Sequence, residues 1–145
     1  MTRVAIAVEC FNSGFVCSQA LLSTYGTEFG LDYEMALRLA AAFAGGMGGK
    51  GETCGAVTGA FMVIGLKHGK TVAHDEQSQN RTYSLVNKFV NKFKSCNGSI
   101  MCRELLGYDI STPEGYAMAK EKGAFRTVCP RCVRDAAEIL EQLLE

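Results

Sequence analysis

Seven cysteines in 145 residues carry the most reactive chemistry in this sequence. Cys129-Pro130-Arg131-Cys132 is a Cys-x-x-Cys pair that reads as the start of a helix, where an offset of three residues turns both sulfurs toward one point. Free amides and the positive end of the helix dipole favour a thiolate at such a place, and Arg131 adds a neighbouring cation. Nucleophilic attack and metal ligation both become easier. Cys54 follows the run Gly45-Gly46-Met47-Gly48-Gly49-Lys50-Gly51 and reads as the start of another helix. Backbone amides of Gly49, Gly51 and Thr53 are expected to point at its sulfur or at the sulfides of a cluster, with Gly55 leaving room beside it. Cys102 falls in the first turn of a short helix, and Cys17 lies inside a further one. Cys17, Cys54, Cys102 and Cys129 are therefore candidate ligands of one centre, with Cys132 a fifth candidate for its redox chemistry.

Several chemistries meet these residue types less well. Zinc takes four ligands, commonly from two Cys-x-x-Cys knuckles or a Cys/His mixture. One knuckle is present, and His68 and His74 flank a polar linker without ligand spacing, so zinc is the less favoured metal. The consecutive spacings of ferredoxins are absent as well, so an iron–sulfur cluster would take ligands from far apart in sequence. Cycling between dithiol and disulfide stays open beside it. A phosphate-binding loop fails at the glycine-rich run, because Ala44 stands at the required first glycine and Gly51 follows the lysine.

Lys plus Arg equal Asp plus Glu at 15 each, which predicts no nucleic-acid partner. The most apolar stretch, Cys54 to Leu66, is shorter than the ~20 residues of a membrane span. The first residues hold no continuous hydrophobic run, and a cytoplasmic location is expected. In a reducing compartment clustered cysteines ligate metals or cycle more often than they staple a fold. Cys10 and Cys96 are expected to be buried packing residues.

The elements that must position these thiols read as helices throughout. No run alternates with period two, so the expectation is an all-α bundle of six to seven helices in one domain spanning residues 1–145. Val4, Val8 and Phe11 share one helical face. A second helix is expected from Ser13, turning Phe15, Val16, Ala20 and Leu21 inward, and a third from an Asp32 cap, with Met35, Leu39 and Phe43 on its buried side. Helices are also expected from about Cys54 to Lys67 and from His74 to Ser95. A short one through Cys102 to Leu106, one capped by Thr112-Pro113, and a last one beginning at Cys129-Pro130 complete the set. Gly55 and Gly59 form a small-x-x-x-small face for a close helix contact, either within the chain or in a homodimer.

Four blocks in order, Cys17-Ser18-Gln19-Ala20, Gly45-Gly46-Met47-Gly48 leading into Cys54-Gly55-Ala56-Val57-Thr58-Gly59, Cys102-Arg103-Glu104-Leu105-Leu106-Gly107, and Cys129-Pro130 ahead of Val133-Arg134-Asp135-Ala136, resemble the C_GCAxxG_C_C family of redox-active proteins. The resemblance spans nearly the whole chain. It implies redox activity through Cys17, Cys54, Cys102 and Cys129, with a redox partner or a transporter-associated protein as the expected partner. It extends to the amino-terminal part of split-Soret cytochromes, which implies an iron–sulfur cluster. Haem is not expected, because no Cys-x-x-Cys-His is present. Cys10, Cys96 and Cys132 stand outside the shared set.

Overall fold

The computed structural model describes all 145 residues. Eight helices, joined by turns and two 3-10 segments, make an all-α fold, one or two more than the sequence suggested. They are α1 (Arg3–Asn12), α2 (Cys17–Gly26), α3 (Tyr33–Ala40), α4 (Gly55–His68), α5 (Glu76–Asn97), α6 (Cys102–Leu106), α7 (Pro113–Glu121) and α8 (Ala124–Leu143). Side-chain caps start several of them. The Ala5 amide donates to the Thr2 hydroxyl, the Met35 amide to Asp32, the Ser78 amide to Asp75 and the Gly115 amide to Thr112. Each cap satisfies an otherwise orphaned amide and stabilises its helix by about 1 kcal/mol.

The main core lies where α2, α4, α5 and α8 meet. Leu21, Leu22, Tyr25, Val57, Val63, Ile64, Phe89, Phe93, Val133 and Leu140 are essentially inaccessible. Small residues bring the backbones together: a Cβ added to Gly59 would sit 2.9 Å from Leu21 Cβ and 3.0 Å from the Ser18 carbonyl. That helix contact is internal to the chain. A second, smaller cluster of Cys102, Leu106, Ile110, Ala119 and Ala124 closes one end of the molecule. No helix is long and apolar enough to cross a membrane.

Three local expectations are corrected. On α3 the buried residues are Ala36 and Ala40, while Met35 and Leu39 are exposed, because the closely packed α2 accepts only alanines there. Helix α2 begins at Cys17 instead of Ser13, and Phe15 is partly exposed in the connection before it. The last helix begins at Ala124, capped by Gly123, so Pro130 lies within it. Proline has no N–H to donate, which leaves the carbonyl of Arg126 without its helical partner.

Candidate functional site

Five of the seven cysteines line one cavity. Its volume is about 350 Å³, and its walls include Cys17, Cys54, Cys102, Cys129 and Cys132 together with Phe11, Phe15, Val16, Leu106 and Phe125. Their sulfurs are its only polar side-chain groups. The cavity occupies the seam between the two hydrophobic clusters: Cys17, Cys54 and Cys132 belong to the large one, whereas Cys102 and Cys129 pack in or against the small one.

Each thiol is placed by identifiable interactions. Cys17 opens α2, and that end is fixed by Gln19, whose Oε1 accepts the Val16 amide at 3.0 Å while its Nε2 donates to the Leu37 carbonyl at 3.0 Å. The Ser18 hydroxyl donates to the Ala40 carbonyl at 2.7 Å. Cys54 and Cys102 are brought together by a backbone clasp. The Cys54 amide donates to Ile100 at 2.7 Å, the Cys102 amide to Glu52 at 2.6 Å, and the Arg103 amide to Gly51 at 3.1 Å, around an antiparallel bridge between Thr53 and Met101. Nothing in the cysteine spacing announces that clasp. Its one sequence signal is the glycine run, because the turn from Gly45 to Gly49 is left-handed throughout. Met47 is the single residue with a side chain in that turn, at φ +70°. Such a backbone costs an L-residue roughly 1–2 kcal/mol, which glycine avoids.

Two glycines hold space for sulfur-bearing residues. A Cβ on Gly46 would meet the Glu52 nitrogen at 2.4 Å and Cys102 Cβ at 2.7 Å, and one on Gly55 would meet Cys17 Sγ at 2.5 Å. Gly55 lines the cavity, as does Gly45, but Gly49 and Gly51 do not. Their amides do not reach the sulfurs, because they are spent inside the turn, donating to the carbonyls of Ala44 and Gly45. The amides that do act on sulfur are those of Cys17 and Ser18 at the Cys17 thiol and of Ala56 at the Cys54 thiol. They belong to the N-termini of α2 and α4.

Cys17, Cys54, Cys102 and Cys129 are nevertheless kept protonated, contrary to the expectation of depressed values. A hydrogen bond with Cys54, then burial, raises Cys17 well above the ordinary range. A hydrogen bond with Cys132 is the main cause that raises Cys54, with burial adding to it. Burial, then proximity to Cys17, pushes Cys102 up to about 11. Burial, then Cys17 and Cys102, pushes Cys129 up to about 12. Cys129 sits in the second turn of α8 rather than at its start, so free terminal amides do not serve it, and Arg131 points to solvent. The local contacts also show which thiols meet. Cys54 is coupled to both Cys17 and Cys132, and Cys17 acts through space on Cys102 and Cys129.

The remaining candidates lie elsewhere. Cys10 is half-buried with its sulfur 3.8 Å from the Ser23 hydroxyl, and Cys96 is exposed on α5 instead of buried, because it falls on the solvent side of that amphipathic helix. Neither His68 nor His74 reaches the cavity. No three of the histidine, cysteine and acidic side chains converge closely enough to hold a single metal ion.

A family model described as "Putative redox-active protein (C_GCAxxG_C_C)" matches residues 15–143. The chain belongs to the C_GCAxxG_C_C family. Comparisons with curated proteins and with solved structures returned no match. In this C_GCAxxG_C_C protein the matched span contains the five cavity cysteines and Cys96, and it leaves out α1, which carries Cys10 and Phe11.

Proposed function

We propose that this protein is an electron-transfer protein whose Cys17, Cys54, Cys102 and Cys129 hold an iron–sulfur cluster in the cavity at the seam. The observation that carries the reading is the spread of these four thiols, with Cys132 beside them, around one apolar space lined by no polar side chain other than cysteine. Tetrahedral zinc, with Zn–S near 2.3 Å, requires its four sulfurs within about 3.8 Å of one another. The cysteines here do not gather in that way around any single point. A cluster several atoms across holds its ligands further apart, and the cavity volume falls at the lower end of the ~300–1,000 Å³ typical of cofactor sites.

The donor set fits such a cluster. All four candidate ligands are thiols, the walls are apolar, and amides of α2 and α4 already act on Cys17 and Cys54. Hydrogen bonds to sulfur and exclusion of water are two of the levers that set a cluster's potential. When bound, the cluster would supply one-electron redox chemistry. The chain's own part is to present four thiols, each giving up its proton as a cation binds. It also keeps water out with Phe11, Phe15, Leu106 and Phe125, and it holds the clasp between Gly51–Cys54 and Ile100–Arg103 closed. Raised thiol pKa values suit this role better than fast thiol catalysis, which draws on a standing population of thiolate.

The test is metal and acid-labile sulfide analysis of protein purified without air. Iron and sulfide in matching amounts, with visible absorption lost on exposure to air, is the expected result. A colourless protein without iron or sulfide that also fails to take them up on anaerobic reconstitution would overturn the reading.

A further inference from the structure

Away from the cysteines, α3 and α4 leave an apolar groove open between them. Leu39 and Phe43 form one side, Met62 and Leu66 the other, and the buried Leu22 lies beneath. Its volume is about 400 Å³, and it shares no residue with the cysteine cavity. Met35, one turn before Leu39, is 45% exposed and Leu39 itself 52%, so the groove and its rim present hydrocarbon to water. Contiguous exposed apolar surface of this kind is a mark of an interaction site. Two observations bear on what docks there. The first is Gly65, which lines the groove from inside α4. A helix interior favours alanine over glycine. At Gly26, Gly55, Gly59 and Gly115 the chain itself explains the glycine, because an added Cβ would lie within 3.1 Å of a neighbouring atom. At Gly65 the same Cβ would meet nothing within 4 Å. Nothing inside the chain asks for glycine there, whereas a neighbour seated in the groove gains a close approach to α4. The second observation is charge. Glu34 and Arg38 stand one turn apart on the exposed side of α3, next to Met35 and Leu39. The ion pairs of the chain are those of Arg3 with Glu28 and Glu141, so both of these charges are unpaired.

We propose that this groove is the interface of a twofold homodimer, in which each copy lays α3 over the groove of the other. A twofold interface is self-complementary, so a contact from one residue to a second is repeated from the second to the first. Two copies of α3 laid antiparallel set Glu34 of each against Arg38 of the other, which pairs all four charges at the rim. Met35 of each copy then enters the groove of the other on the open side of Gly65. The opposite charges fix register and orientation, while the apolar groove supplies the area removed from water. The dimer stands apart from the cluster reading, since neither site uses a residue of the other.

The experiment is analytical ultracentrifugation of the full chain from about 1 to 100 µM, with reductant present so that no dimer is held through the exposed Cys96. The expected result is a mass that rises with concentration from the 15.6 kDa of one chain to twice that value. Glu34→Arg and Arg38→Glu should each weaken association about tenfold by setting like charges opposite one another. The double variant, which exchanges the two charges, should restore it. Gly65→Leu should weaken association at least as much by filling the groove, with helicity by circular dichroism kept. Gly65→Ala guards against a folding defect: at the monomeric end of the range its thermal midpoint should rise by a few degrees, because alanine suits a helix interior. A single 15.6 kDa species throughout would overturn the dimer. A dimer that survives Gly65→Leu unchanged, or a double charge exchange that associates no better than either single variant, would overturn this face as its interface.

Discussion

The two ends of this molecule use small residues for opposite purposes. In the main core, Ala20, Ala56, Ala60, Ala136, Ala137 and Gly59 let backbones approach until hydrocarbon fills the space, and Phe89 and Phe93 stack with ring centroids 5.9 Å apart. At the cysteine end, Gly46 and Gly55 allow an equally close approach, but what they admit is Cys102 and Cys17. The core is closed by apolar contacts, whereas the seam beside it keeps a cavity of about 350 Å³ walled by thiols. Fold and chemistry are therefore separable, and substitutions at the two ends should fail in different ways.

The largest loss of stability is expected in the core. Phe89→Ala should destabilise by about 3–5 kcal/mol in urea denaturation, through lost burial and the cavity left behind. Iron taken up per folded chain should stay at the wild-type level. Gly46→Ala comes next, at about 3 kcal/mol, because its Cβ meets rigid backbone and must also adopt a left-handed φ of +66°. Here iron uptake should collapse as well, since Cys102 is displaced. If Gly46→Ala lost stability yet loaded normally, the comparison between the two ends would be broken.

A pH-dependent loss of stability is also expected. Cys102 and Cys129 titrate near 11 and 12 in the folded, metal-free chain, against about 8.5 when unfolded. Between those values the unfolded chain has released protons that the native chain still holds, so stability is complete below about 8.5 and declines as pH rises toward 11 and 12. Denaturation midpoints measured across that window should fall for the wild type and fall less for a Cys102→Ala, Cys129→Ala double variant. Smallest of all is Gly49→Ala. An added Cβ there meets nothing within 4 Å, so only the strain of φ +86° remains, about 1 kcal/mol, with iron uptake unchanged.

The all-helical class was legible because apolar residues recur at helical spacing and the Asp32, Asp75 and Thr112 caps are local signals. The cysteine set was legible from residue type and from the family resemblance. What escaped were consequences of packing between distant segments. Met35 and Leu39 look buried until α2 is seen to accept only Ala36 and Ala40 against α3. Cys129 looks like a helix start because proline favours that position, yet Gly123 begins the helix earlier. The direction of the thiol pKa shifts could not be read either, since it depends on burial and on contacts among cysteines far apart in sequence.

The central claim is that four thiols from remote parts of the chain serve one centre. Its most direct test is to replace each of the seven cysteines singly by serine and measure iron bound per folded chain after anaerobic reconstitution. Cys17→Ser, Cys54→Ser, Cys102→Ser and Cys129→Ser should each lose most of the iron, while Cys10→Ser, Cys96→Ser and Cys132→Ser keep it. Equal retention across all seven variants, or losses that do not follow the cavity, would contradict the account.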